Sequence, residues 1–380
     1  MTTGSTGGAS TMAVLDLDID DLPAVIEARP TDVAALVLLR VQGRPAGQAV
    51  VPLVNGRCDT PRQALLEGAD SAFWEALLSS RLDPSRSAPP PAPKAPATVA
   101  VCTRDRTEDL RRCVAALLAM PDDGQEILVV DNAPRTEATH DLLAGMPRIR
   151  YIREDRPGLD VARNRALQEA RTEIVAFTDD DAAPDALWLR TLLRNFDDPL
   201  VGAATGPTLP IELETEAQMD FQRFGGFLRG YKRMVLDGAT HDPLLGWHAG
   251  AGVNMALRRS ALSSIGPFDE ALDAGTPTQA GGDADMYRRL IAGGWRIVYD
   301  PEALNWHRHR RSAEELVRQM WGYEVAGSAV LWKTFAWEGN WGGLVQYLSW
   351  FARELALLGY SIRRRPGTPA PAVVLKRIRG

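Results

Sequence analysis

The chain reads as an α/β protein: a mostly parallel sheet flanked by helices, with a small α+β module before it and a helical extension after it. Three observations predict this. Between residues 98 and 178, short β-branched and apolar runs alternate with stretches of helical period, the rhythm of βαβ units. Six prolines crowd into 84–97, PSRSAPPPAPKAPA, an extended, semi-rigid linker that sets an N-terminal module apart. Three aspartates, Asp179, Asp180 and Asp181, follow the apolar run Ile174-Val175-Ala176-Phe177-Thr178. Open α/β sheets bind ligands at such strand ends, and adjacent carboxylates there repel unless a cation sits among them.

Composition narrows the function classes. At 380 residues about two domains are expected. Hydrophobic content of 45% and charged content of 24% suit a soluble globular protein. A net charge of -6 argues against a general nucleic-acid binder. Cys58, Cys102 and Cys113 lack metal-ligand spacing, and an odd count fits a reducing compartment without a disulfide framework. Residues 1–12 show no signal-peptide pattern and no run of about 18 apolar residues occurs, so a cytoplasmic location is expected.

The module at 1–83 reads as strands at 13–20 and 33–54, the latter broken by a hairpin connection at Gly43-Arg44-Pro45-Ala46-Gly47. A helix is expected from Thr60-Pro61 to about residue 82, with Thr60 as N-cap. Asp16, Asp18, Asp20 and Asp21 lack the glycine and distal glutamate of a calcium loop and read as an edge strand with one wet face.

The next elements run strand 98–103, helix 107–120, strand 126–130, helix 136–145, strand 148–152, helix 159–170 and strand 173–178. Their strand ends carry Thr103-Arg104-Asp105-Arg106, Asp131-Asn132 and the aspartate triplet. Three polar clusters at one sheet edge predict a site. The first turn has no glycine, which excludes the dinucleotide and P-loop patterns. Asp131 could accept from a base N–H, and Arg104 or Arg106 could meet phosphate.

The segments TVAVCTRDR, EILVVDNAP, RPGLDVARNRAL, EIVAFTDDDAAPDALWL, GAGVNMALRRSAL, GPFDEAL and AGGDADMYRRLIAGGWRIVYDPEALNWHRHR closely resemble the family 2 glycosyltransferases with a GT-A fold, over about 98–335. The resemblance implies an inverting transferase that moves a sugar from a nucleotide-diphosphate sugar to an acceptor hydroxyl. It implies Mg²⁺ or Mn²⁺ on Asp179 and Asp181, with His307 completing the set and His309 as the fallback. Thr103, Arg104, Arg106, Asp131, Asp160, Arg163 and Asp180 fall on the donor side. Asp283 matches the general base. Many relatives have Glu-Asp there, whereas this chain has Gly282-Asp283. Asp285 is the alternative base or a helix cap. Trp247, Gly252, Asn254 and Gly282 join it on the acceptor side. The loop at 266–281 reads as a lid, and Arg308, Arg310 and Arg311 as diphosphate or acidic-acceptor contacts.

Residues 336–380 extend the chain with a helix at 341–362 and six basic residues within 361–380. Packing on the catalytic domain or another subunit is the first reading, and contact with the cytoplasmic membrane face the second. The acceptor class, whether sugar, lipid-linked or small-molecule hydroxyl, and the oligomeric state stay open. Two other classes remain: a sugar nucleotidyltransferase, which would want a glycine-rich phosphate loop, and a non-catalytic sugar or nucleotide-sugar binding module, which needs no base. A dehalogenase-type phosphatase would want Thr or Val where Ala183 stands.

Overall fold

A computed structural model describes residues 11–83 and 89–363. Its centre is an eight-stranded sheet in the order Met234–Leu236, Arg296–Tyr299, Val201–Thr205, Asn254–Arg258, Ile174–Asp179, Thr98–Thr103, Glu126–Asn132, Ile149–Glu154. The last four strands in this order run parallel. Asn254–Arg258 is antiparallel to both of its neighbours. The helices Thr107–Ala119, Ala138–Leu143 and Leu159–Glu169 connect the parallel strands.

One face of the sheet buries Leu128, Ala162, Phe177 and Met286. The other buries Val99, Leu110, Val129 and Trp188. With both faces covered, the parallel strands carry continuous apolar runs instead of alternation, which is why they stand out in the sequence. From Thr98–Thr103 the chain steps first to one side of the sheet and then, with Ile174–Asp179, to the other. Strand order reverses there, and the crevice between these two carboxyl ends is where such a sheet receives a ligand.

The N-terminal residues form a three-stranded sheet of Thr11–Asp18, Asp32–Val41 and Arg44–Pro52 over its own core, including Val37, Leu39 and Phe73. Two expectations need correction. The hairpin turn is only Gln42-Gly43, both at positive φ (52° and 77°), the backbone that a two-residue primed turn requires; Arg44 to Gly47 belong to the returning strand. The single helix is two, Pro61–Gly68 and Ser71–Leu82. Asp70 starts the second by accepting from Phe73 N at 2.9 Å, whereas the Thr60 side chain caps nothing. Asp16 pairs with Arg40 at 2.6 Å on the edge strand, as a wet face should.

This sheet rests on the larger one through Leu38, Ala72, Leu209, Tyr231 and Leu304, and through Arg40–Asp185 (2.5 Å) and Arg44–Glu302 (2.9 Å). A cavity of about 700 Å³ lies at this junction, and none of the aspartate triplet lines it. Residues 84–88 of the proline-rich segment and the basic stretch 364–380 lie outside the described residues.

Helix Ala313–Ala336 opens with a capping box between Ser312 and Glu315, and Trp341–Ile362 packs back along it. Among the described residues no helix is long and apolar enough to cross a membrane. The first of these helices is fastened by Asp285, fully buried, whose oxygens meet Arg288 (3.1 Å), Arg289 (2.8 Å) and Lys333 (3.0 Å). Burial opposes ionisation of Asp285, but Arg289, Lys333 and Arg288 outweigh it and hold its carboxyl below the usual range. A lowered folded pKa stabilises fully above the unfolded value of about 4 and is lost only as pH falls through the folded one. Asp285→Ala removes the carboxylate that these three cations share, while Glu338 still pairs with Arg288 and Asp269 with Lys333. It should cost about 3 kcal/mol, read as a lower urea midpoint; an unchanged midpoint would remove Asp285 from this role.

Candidate active site

The aspartate triplet divides its work. The short strand Asn305–His307 lies antiparallel to Ala182–Pro184 with Ala182 opposite His307, which carries the imidazole to the end of the triplet. Asp179, Asp181 and His307 each direct one donor atom inward, all within 4.8 Å of one another. His307 Nε2 is 3.1 Å from Asp181 Oδ1. Two carboxylates and an imidazole are a donor set for a divalent cation. Asp180 turns aside, accepting from Thr103 Oγ1 (2.7 Å) and Arg106 (2.7 Å).

Charge is tightly balanced here. Arg106 also reaches Asp181 at 2.8 Å, and Arg310 stands 3.6 Å from it. Burial works against ionised Asp181, yet His307, Arg106 and Arg310 hold its carboxyl well below the usual range. Burial, only partly opposed by Arg106, pushes Asp180 up to about 7. Burial and the Asp181 charge push Asp179 up as well. His309 is buried beside His307, with their Nδ1 atoms 3.2 Å apart, and burial drives it down to about 3, so it is neutral.

A second acidic group surrounds Arg163. Its Nη1 donates to Asp160 (2.9 Å) and Asp273 (2.7 Å), and all three are buried. Asp160 Oδ2 has no hydrogen-bond partner. Asp283, in the first turn of Gly282–Ala292, accepts from Gly252 N at 2.6 Å and from Ala284 N at 2.8 Å. A Cβ on Gly252 would lie 2.7 Å from Arg163 Nη2 and 3.2 Å from Asp283 Oδ2, so only glycine lets both groups approach that backbone. Burial, then the charge of Asp273, raises the Asp283 carboxyl, with Arg163 and the two N–H groups opposing.

The departure at Gly282 has a steric reason. A Cβ there would fall 2.0 Å from Asp160 Oδ2. Asp160 fills the space that a side chain at 282 would need.

Other residues read as site residues are placed as follows. Asp131 is buried at the outer strand end, with Tyr151 OH donating to Oδ2 at 3.1 Å and Oδ1 unpartnered. Arg104 is exposed at the same edge. Trp247 is half exposed, with Arg229 over its ring at 5.7 Å. Asn254 is spent on the scaffold: it donates to Pro207 O and Ala303 O, both at 2.8 Å, and accepts from Trp188 Nε1. Asp285 likewise has both oxygens engaged, leaving none for a hydroxyl. The side chains of Arg308 and Arg311 face Asp109 and Glu214 at 3.1 Å, so of the three guanidinium groups only that of Arg310 reaches the triplet, although Arg308 N donates to Asp181 O at 2.9 Å. The loop at 266–281 is pinned by Asp273 N to Ala280 O (3.0 Å) and by Leu159 N to Ala274 O (2.9 Å). Asp273, at φ 72°, was not legible as a site residue, because an aspartate among glycine and threonine reads as a turn former.

The open α/β sheet thus carries both acidic groups at its carboxyl edge, where a GT-A fold is expected to bind its donor. Among known proteins, the model of Glycosyl transferase family 2 matches residues 98–266. The chain is 31% identical over 241 residues to the pre-mycofactocin glycosyltransferase of Mycobacterium tuberculosis, covering 61% of this chain and 47% of that one. It is 26% identical over 216 residues to the succinoglycan biosynthesis protein ExoM of Rhizobium meliloti, covering 54% and 64%. The chain thus spans about half the length of the mycobacterial relative. Among solved structures, the mannosyltransferase PcManGT of Pyrobaculum calidifontis, in complex with GDP-Man and Mn2+, aligns with TM-score 0.46 and 19% identity over 76% of this chain and 71% of that one.

Gly282→Glu should lower the melting temperature by the equivalent of about 1–3 kcal/mol through overpacking and through repulsion from Asp160. Adding Asp160→Gly should recover at least half of that loss. A single variant that melts like the parent would refute the steric account.

Proposed function

We propose that the chain transfers a sugar, with inversion, from a nucleotide-diphosphate sugar to an acceptor hydroxyl. The observation that carries this reading is the separation of two acidic groups at one sheet edge. Asp179, Asp181 and His307 converge on one point, while Asp283 stands on another element, with its own N–H donors and an open cleft before it.

Asp179, Asp181 and His307 would hold a divalent cation, and bound there it would supply Lewis-acid neutralisation of the leaving diphosphate. Asp180, Thr103 and Arg106 brace that group from the side of the first strand, and the free Asp131 oxygen accepts from the nucleotide base. Arg163 fixes Asp160 and Asp273 beside the base carboxylate. Asp283 takes the acceptor proton as the hydroxyl oxygen bonds to the anomeric carbon. The bond from that carbon to the diphosphate oxygen breaks on the opposite face, and its electron pair leaves with the diphosphate. No second carboxylate is needed as a covalent nucleophile, which favours inversion.

A peripheral membrane contact is a further reading of the tail. Trp341, Val345, Leu348 and Leu355 lie on one outward, exposed face of the last helix, ahead of six basic residues within 361–380. Binding to anionic vesicles that persists in Trp341→Ser/Leu348→Ser would sink it.

A nucleoside diphosphate or its sugar should raise the melting temperature only with Mn²⁺ or Mg²⁺ present, and Asp181→Asn should abolish that rise. Asp283→Asn should keep the rise and lower turnover of GDP- or UDP-sugars by at least about 100-fold. Full turnover in that variant would remove Asp283 as base. A base with a raised pKa loses its working form early on acidification, so the acid limb of the rate should lie above the ordinary carboxylate value of about 4.

A further inference from the structure

The two C-terminal helices, which lie beyond the matched family region, do more than pack. With the segment around 221–229 and the loop at 244–251 they enclose a cleft of about 680 Å³ that reaches Asp283. That volume suits a single drug-sized ligand. Phe227 joins the cleft to the site: it lines the cleft and lies edge-on to His307, with ring centroids 5.3 Å apart.

The chemistry of this wall is selective. Met320, Tyr323, Val330 and Trp350 come from the two helices, facing Phe227 and Trp247 across the cleft. Most of the polar groups on this wall are committed; Arg229, whose Nε is unpartnered, and Arg353 are the exceptions. The Trp350 N–H donates to Glu324 at 3.0 Å, Gln346 to Asp242 at 3.0 Å, and Arg288 is held by Asp285 and Glu338. Gln319 Nε2 donates to the Tyr323 hydroxyl at 2.7 Å. A bare sugar or oligosaccharide carries hydroxyls around every ring, and each one buried without a partner costs about 1–3 kcal/mol. Aromatic edges and an apolar floor favour a flat apolar body instead.

Resting on the transferase reading above, we propose that the acceptor is a compact, ring-bearing aglycone whose apolar body fills this cleft and whose hydroxyl points to Asp283. A carbohydrate acceptor and a long lipid chain are the occupants the proposal excludes.

The test is binding, read by intrinsic tryptophan fluorescence and equilibrium dialysis on the full chain. The probes are naphthalene-2-methanol, dodecanol and maltose. Naphthalene-2-methanol should bind saturably at one site, and maltose should not displace it. Trp247→Ala and Phe224→Ser remove exposed lining residues and leave the core intact. Each should weaken binding by about tenfold, the loss of one aromatic contact. Trp337→Ala, on exposed surface outside the cleft, should not. Maltose or dodecanol binding this cleft better than the aryl alcohol would overturn the proposal, as would aryl binding insensitive to both cleft variants. The Mn²⁺-dependent nucleotide shift, measured on the same samples, fails separately: its absence would strike the transferase reading, whereas a normal shift without aryl binding would strike the acceptor assignment alone.

Discussion

Carboxylates collected at the ends of buried strands must be neutralised, and the rest of this molecule is arranged around that requirement. Asp179, Asp180 and Asp181 follow the buried apolar run Ile174-Val175-Ala176-Phe177. Arg106 and the segment carrying His307 and Arg310 offset them from two distant parts of the chain. Arg163 does the same for Asp160 and Asp273, from within the core. Buried ions are costly unless paired and hydrogen-bonded, so each of these acids marks a place where positive charge is provided by the chain or expected from a ligand.

Much of the remaining polar chemistry holds these groups in place. Asn132 accepts from Gly158 N at 2.9 Å and donates to Arg156 O at 2.7 Å, fixing the entry to the helix that carries Asp160 and Arg163. Asn164 brackets Phe268 through its N–H and carbonyl. Asn254 ties three elements below Gly252, whose N–H presents Asp283. Asp285, two residues beyond Asp283, carries the C-terminal helices through Lys333, so the walls of the cleft and Asp283 share one short helix.

The fold was legible because its signals are local. Apolar runs with helical stretches between them, and polar residues at each strand end, survive any tertiary arrangement. Asp179 and Asp181 stood out at the end of a buried strand and His307 through the family resemblance, and the structure brings one donor atom of each within 4.8 Å of the others. What resisted reading depends on contacts between distant segments. Nothing near Asp285 in sequence shows that Lys333 will neutralise it, and nothing near Asn254 shows Trp188 or Ala303 beside it. Gly282 looked like a loss until Asp160, over a hundred residues earlier, proved to occupy its space. The helix at 341–362 read as packing on the catalytic domain, and Trp350 from it, with Tyr323 from the helix before, lines a cleft.

The central claim is that Asp179, Asp181 and His307 form one cation site that serves a diphosphate. Electron paramagnetic resonance titration of Mn²⁺ addresses it most directly, with and without a nucleoside diphosphate. The account requires a single site whose occupancy rises with the diphosphate and which disappears in His307→Ala. Binding that is absent with diphosphate present, or that survives unchanged without His307, would contradict it.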